Sequence, residues 1–332
     1  MPSQRDQRLV IAGASSLLGA ELKSLLQESR FAGWDFSLLD EETAAGTLTE
    51  AAGEAAIIQP VEEGSFSHAK LIFFTGSEAF SQRNLPAARG SDATVIDLSG
   101  AALTVPGVNV WFAIDGVGPS PDKSNTLYAI PSAPGLAAAK LLEALGRVGL
   151  LRIALICFRP VSEAGRRGIE ELEAQTTQLL SFQSIGQSVF DTQVAFNLLD
   201  RYGAASGENL QSVRTRIRRE ACAAAGRNLV APSIQVLHAP VFYGYTFLAI
   251  AELNSQQSKD ALLEICRKAG FTLDSDASSP LGNLTASGDS SLHLALPESD
   301  SAQRGTWWFW GAADNIRLPA ATAIKLAEKL FE

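Results

Sequence analysis

Residues 8–13 (RLVIAG) form a short continuous apolar run, and residues 17–29 (LLGAELKSLLQES) carry apolar side chains at helical spacing. The chain therefore opens as a buried strand feeding a helix. Further apolar runs at 36–40, 70–76, 94–100, 109–115 and 126–131, with turn residues or short helices between them, predict more strands. Strands alternating with helices predict a parallel sheet with right-handed crossovers. After a helix predicted at 135–149 the texture changes. Longer β-like runs at 150–161, 228–253 and 291–298 surround helices predicted at 168–182 and 208–226, which points to a second, α+β domain on an antiparallel or mixed sheet. A closing helix is predicted within 312–332, whereas ETAAGTLTEAAGEAA (42–56) reads as a solvated loop or helix surface. The domain boundaries expected are 1–132 for an α/β, Rossmann-like domain, 133–314 for the α+β domain, and 315–332 for a helix returning to the first.

A chain of 332 residues exceeds the usual size of one core, which agrees with two domains. With 46% hydrophobic and 19% charged residues the composition is that of an ordinary globular protein. The net charge of −9, and the absence of any basic run richer than RTRIRRE, argue against nucleic acid or an anionic membrane as partner. No apolar stretch is long enough to span a bilayer, and MPSQRDQRLVIAGA lacks the order of a signal peptide, so a cytoplasmic location is expected. Cys157, Cys222 and Cys266 have no metal-ligand spacing and are expected to be buried structural thiols, with no metal site. The aromatic run TWWFWG (306–311) is expected in a core or dimer interface.

Between the first strand and helix, Gly13, Ser16 and Gly19 follow a G-x-x-G-x-x-G spacing with serine in the middle. Such a turn exposes backbone N–H groups to phosphate, and many α/β proteins use it only for packing. Its candidate cofactor contacts are Gly13, Ser15, Ser16, Leu17, Leu18 and Gly19. Asp40, Glu41 and Glu42 end the second predicted strand, where an acid meets an NAD ribose and would repel an extra 2′-phosphate. Any dinucleotide is therefore NAD rather than NADP.

Taken in order, IAGASSLLGAEL, VIDLSGAA, AIPSAPGLAAAKLL, SEAGRRGIEELEAQT, VFDTQVAFNLLD, HAPVFYGYTFLAIAEL and ADNIRLPAATAIKLAEKL resemble segments of the aspartate-semialdehyde dehydrogenase family nearly end to end. The resemblance implies an N-terminal dinucleotide domain, a C-terminal catalytic and dimerisation domain, and a homodimer. It also implies a reaction: NADPH-dependent reduction of aspartyl phosphate through a cysteine thioester. That chemistry needs a thiolate, a histidine acid/base, a positioning amide and cations for the substrate's carboxylate and phosphate.

Carried over position by position, the resemblance implies that those groups have been replaced. Ala133 stands where the family has its cysteine, one residue after Ser132. Arg159 stands for the positioning glutamine, His238 for the carboxylate-binding arginine and Tyr245 for the acid/base histidine; a structural role is expected of His238. Leu103 and Ala223 replace phosphate-binding cations, while Glu220 survives as a residual substrate-site residue. Charge-assisted hydrogen bonds contribute roughly 1.5–3 kcal/mol each, and removing a nucleophile costs about six orders of magnitude in rate, so either loss is disabling. On the cofactor side, Thr75, Gly76, Ser77 and Glu78 take the place of a small-residue loop, Glu42 or Thr43 that of the 2′-phosphate arginine, and Asn315 remains with Leu318 replacing a lysine.

The resulting expectation is a homodimeric, Usg-type, non-catalytic paralogue with a binding or interaction role. It has no catalytic residue, binds NAD weakly if at all, and disfavours NADP. A divergent NAD(P)-dependent oxidoreductase using Tyr245 and Arg159, and a mixed assembly with an active paralogue or another protein, remain open. A solvated, salt-bridging role, rather than binding of a different anion, is expected of Arg159, Arg166 and Arg167, and Ser132 is not expected to substitute as a nucleophile.

Overall fold

The computed structural model describes residues 7–51, 53–226, 230–274 and 279–332, so residues 228 and 229 of the run at 228–253 lie outside the described residues. The chain divides into two compact units. The first comprises residues up to Phe112 together with Pro119–Pro131 and Pro319–Glu332. Its elements are β1 (Arg8–Ala12), α1 (Leu17–Gln27), β2 (Asp35–Asp40), β3 (Leu48–Ala51), β4 (Glu54–Ile57), β5 (Gln59–Pro60), β6 (Ala69–Phe74), α2 (Glu78–Arg89), β7 (Thr94–Asp97), β8 (Asn109–Val110) and β9 (Leu127–Ala129).

Seven of these strands form one parallel sheet in the order β5-β2-β1-β6-β7-β9-β8. Strand order reverses at β1, which places the glycine turn beyond its carboxyl end at a switch point between β2 and β6. Leu9 to Ala12 are fully buried, as the unbroken apolar run of a doubly covered parallel strand requires.

Two expectations fail in this unit. The Ala/Gly-rich segment 42–56 begins as expected, with an exposed helical turn at Glu42–Ala44, but from Leu48 onward it is a hairpin: β3 and β4 pair antiparallel, with Leu48 opposite Ile57. The run at 109–115 supplies only the two residues of β8. Beyond it Trp111 is buried in the core and its indole donates to the Pro119 carbonyl at 2.9 Å, so its apolar character reflects burial rather than strand pairing.

The second unit comprises Ala113–Gly118 and Ser132–Leu318. It contains α3 (Ala133–Gly146), β10 (Leu150–Arg159), α4 (Gly165–Leu180), α5 (Leu210–Ala225), β11 (Ser233–His238), β12 (Tyr245–Leu253), α6 (Lys259–Lys268), β13 (Phe271–Asp274), α7 (Asn283–Ala286), β14 (Leu292–Ala295), β15 (Glu298–Ser299) and β16 (Thr306–Ala313). The last helix, α8 (Arg317–Leu330), belongs to the first unit from Pro319 onward.

The sheet of this unit is mixed, in the order β11-β10-β12-β16-β14-β13, with β15 on β16. Of its pairs, β10–β11 and β13–β14 are parallel and the others antiparallel. The single run read at 228–253 is thus two strands, separated by a turn.

Period-2 burial on β10, β12 and β16 sorts the side chains. Leu155, Cys157, Phe247, Ala249 and Phe309 point inward, whereas Ile156, Phe158, Leu248, Ile250, Trp308 and Trp310 are half-buried on the other face. α3 packs against β10 and β12, and α5 against β11. Cys157 and Cys266 are buried, but Cys222 is exposed, against expectation. The buried stripe of α5 runs through Leu210, Ile217, Glu220 and Ala221, and the next position has rotated about 100° away from it.

Candidate functional site

In the first unit the glycine turn is closed largely by its own chain. The N–H groups of Gly13 and Ala14 donate to the Leu39 carbonyl at 2.8 and 3.1 Å, and the Ser15 N–H donates to Asp40 Oδ2 at 2.8 Å. Ser16 caps α1: its hydroxyl accepts from the Gly19 N–H at 2.9 Å and donates to the Thr75 carbonyl at 2.8 Å. Gly13 has φ +95°, and a Cβ there would lie 2.1 Å from the Gly76 nitrogen, so the two backbones touch. The N–H groups of Leu17 and Leu18 alone at the start of α1 have no acceptor among the described residues.

These residues fit a dinucleotide only in part. Two free N–H groups at a helix N-terminus suit a pyrophosphate. Asp40, however, is turned into the turn itself, Glu41 is held by Arg83 at 2.8 Å, and Glu78 opens α2 two residues after Gly76. The carboxylates at this end disfavour a 2′-phosphate.

In the second unit Ser132 precedes α3, and Ala133, 1% exposed, is its first residue. The Ser132 hydroxyl does not cap the helix; it donates to Glu220 Oε2 at 2.5 Å. Glu220, fully buried on α5, accepts from Arg216 Nε through its other oxygen at 2.8 Å. A Cβ on Gly135 would lie 2.2 Å from Glu220 Oε2, so a glycine is what lets this carboxylate reach the first turn of α3.

β11, β10 and β12 bring three further positions together. His238 and Arg159 are partners in register, and Tyr245 opens the strand on the other side of β10. All three are buried, at 0%, 3% and 1% exposure. Arg159 Nη2 pairs with Glu208 at 2.7 Å and Nη1 donates to the Tyr202 hydroxyl at 3.2 Å. That hydroxyl lies 3.4 Å from His238 Nδ1, and His238 Nε2 lies 3.1 Å from the Val194 carbonyl. Burial pushes the His238 imidazole down to about 4. A neutral ring donates through Nε2 and accepts at Nδ1, which gives the chain Arg159 to Tyr202 to His238 to Val194 one consistent direction.

The other side of Arg159 is different. Its Nε and the Tyr245 hydroxyl have no hydrogen-bond partner among the described residues. The Tyr245 hydroxyl is held well above its ordinary value by burial, and further by Cys157 and Glu163, with Arg159 opposing. The Glu163 carboxyl is raised by burial, against the pull of Arg159 and of the Asn315 amide, which donates to it at 2.9 Å. Asn315 lies in this unit, and its carbonyl oxygen accepts from the Gly244 N–H at 3.0 Å.

Sequence reading missed Tyr202, Glu208, Glu163 and Arg216. Only Arg216 had a local signal, four residues before Glu220; Glu208 meets Arg159 across 49 residues. Leu103 packs against the apolar core of the first unit, and Ala223 is exposed on α5. Arg166 and Arg167 are exposed and form no ion pair among the described residues. A cavity of about 420 Å³ reaches the outer side of the network, with Tyr202, Glu208, Arg214 and Gln235 in its wall. Among the described residues no group of His, Cys, Asp and Glu is arranged to hold a metal ion, and no helix is long and apolar enough to cross a membrane.

Comparison with known proteins gives two family matches. The semialdehyde dehydrogenase NAD binding domain matches residues 8–118, and the semialdehyde dehydrogenase dimerisation domain matches residues 141–318. A USG-1 protein homolog from Pseudomonas aeruginosa is 27% identical, covering 98% of this chain and 97% of its own length. Aspartate-semialdehyde dehydrogenase 2 from Vibrio cholerae is 25% identical, covering 97% of each. Among solved structures, a probable aspartate-semialdehyde dehydrogenase from P. aeruginosa superposes with a TM-score of 0.85 at 26% identity over 98% of each chain. The V. cholerae aspartate semialdehyde dehydrogenase II complexed with ASA shares the fold, with a TM-score of 0.86 at 22% identity over 99% of each.

Proposed function

Since the chain belongs to the semialdehyde dehydrogenase family, we propose that it is a homodimeric member that does not run thioester-forming dehydrogenase chemistry and acts by binding. The observation that carries this reading is Ala133, a buried methyl group at the first position of α3, where the family resemblance calls for the attacking thiol. No other sulfur takes its place. The Cys157 and Cys266 thiols are both pushed up to about 12 by burial, and a protonated thiol is not a nucleophile. Cys222 lies on the exposed side of α5.

The neighbouring groups support the same reading. His238 is neutral and bonded inward, and Glu220 is committed to Ser132 and Arg216. Tyr245 holds its proton more tightly than a free tyrosine, which makes it a poor general acid and weighs against a divergent oxidoreductase. In the first unit the turn of Gly13, Ser15, Ser16, Leu17, Leu18, Gly19, Thr75 and Gly76 offers two free N–H groups to a pyrophosphate, which supports weak NAD binding at most and disfavours NADP.

The homodimer forms through the half-buried apolar face of the mixed sheet, in the part of the chain that matches the dimerisation domain. The test is an assay of purified protein with aspartate semialdehyde, phosphate and either NAD or NADP. No turnover is expected, and turnover in the wild type ends the proposal.

A further inference from the structure

We propose that Arg159 Nε–H and the Tyr245 hydroxyl, together with Glu163, form a buried binding site for an uncharged primary carboxamide. The two unpartnered groups lie at the ends of adjacent strands, β10 and β12, on the same buried face of the sheet. They are 3% and 1% exposed, and buried polar groups are seldom left without a partner. The rest of the cluster is bonded: both Arg159 Nη atoms, the Tyr202 hydroxyl, His238 and Asn315 all have partners.

The chemistry of the unpartnered atoms selects the ligand. An arginine Nε–H only donates, and the protonated Tyr245 hydroxyl has one proton to donate, so two donors ask for one acceptor oxygen. Charge then decides its kind. The guanidinium is already paired with Glu208 at 2.7 Å, and Glu220 with Arg216 at 2.8 Å, while Glu163 adds a carboxyl beside Arg159. An anion entering here would meet carboxylates without a free cation to compensate, so an uncharged carbonyl is favoured.

Glu163 supplies the second half of the recognition. One of its oxygens accepts from Asn315, and the other is the acceptor a ligand N–H₂ requires. A carboxamide satisfies both requirements at once, its oxygen on Arg159 and Tyr245 and its nitrogen on Glu163. Ser132 and Glu163 are only partly buried, and that edge of the cluster gives the ligand its way in. The inference rests on the reading of Ala133 as leaving no attacking group, so the amide is held and not cleaved.

Acetamide is the probe, with acetate as its isosteric anion. Ligand-observed NMR on the intact protein should show saturable acetamide binding, at least tenfold tighter than acetate, and at least tenfold weaker in Tyr245→Phe. Tyr245→Phe should melt higher than wild type without ligand, because it deletes a buried hydroxyl that lacks a partner. A crystal structure of the wild type grown with acetamide should place its oxygen on Arg159 Nε and Tyr245, whether or not the variant folds. Water alone between those atoms at saturating acetamide, equal binding of acetate, or unchanged affinity in Tyr245→Phe overturns the proposal. Dehydrogenase turnover is a separate readout: it would end the non-catalytic reading while amide binding stands or falls by these measurements.

Discussion

The Ser132 hydroxyl donates to Glu220 Oε2 at 2.5 Å, which ties the residue before α3 to the middle of α5. The glutamate that the family resemblance assigns to substrate is thereby built into the packing of two helices. Its second oxygen holds Arg216, and Gly135 admits it without a clash. A carboxylate so engaged is a structural part whatever else it touches.

Glu220→Ala removes a fully buried acceptor for two donors and leaves a gap against α3, so it should destabilise the protein by roughly 2–4 kcal/mol. Glu220→Gln keeps the shape and should cost about half as much. Arg152→Ala breaks the exposed Arg152–Glu252 pair, also 2.8 Å long, and should cost under about 1 kcal/mol. Urea denaturation of the three variants checks the order; equal effects would mean that the Glu220 contacts carry no special weight.

The parts of the fold legible in the sequence were those with a strong period or an unbroken apolar run. The strand at 8–12, the helix at 17–27 and the closing helix at 317–330 read directly. The β3–β4 hairpin did not, because its alanines and glutamates carry no β preference and only the Leu48–Ile57 pair marks it. At the site, the family resemblance singled out Arg159, His238 and Tyr245, and the structure places all three at adjacent strand ends. What holds them was not legible, since Tyr202 and Glu208 come from a segment without local pattern and join Arg159 only through tertiary packing.

Gly13 and Gly46 both have positive φ, +95° and +81°, but only Gly13 faces another backbone. Gly46→Ala meets nothing within 4 Å and should cost only the left-handed backbone penalty, about 1–2 kcal/mol. Gly13→Ala drives a methyl to within 2.1 Å of the Gly76 nitrogen and should cost more than about 3 kcal/mol. Thermal melts of the pair test whether the turn is kept for packing.

His238 makes stability depend on pH. Its folded-state value of about 4 lies below the ordinary 6.5, so the unfolded chain takes up a proton that the folded one refuses. The contribution is complete above about pH 6.5 and is lost as pH falls toward 4, on the order of 3 kcal/mol in all. His238→Gln should flatten the fall in unfolding free energy between pH 7 and pH 4.5. A wild-type slope that survives this substitution unchanged would assign it to other groups.

Leu248 and Ile250 face outward from β12, opposite Trp310 and Trp308 of β16, and Ile156 lies beside Leu248 on β10. An apolar sheet face of this kind, half-buried within one chain, is what a second copy would cover in the proposed homodimer. Leu248→Asp or Ile250→Asp puts a carboxylate into that contact and should shift sedimentation from dimer toward monomer at least tenfold, with circular dichroism unchanged. Leu48→Asp, on the exposed β3–β4 hairpin, changes an equally apolar residue outside the sheet and should leave the mass as it was. Dimers that persist in both sheet variants would move the subunit contact to another surface of the chain.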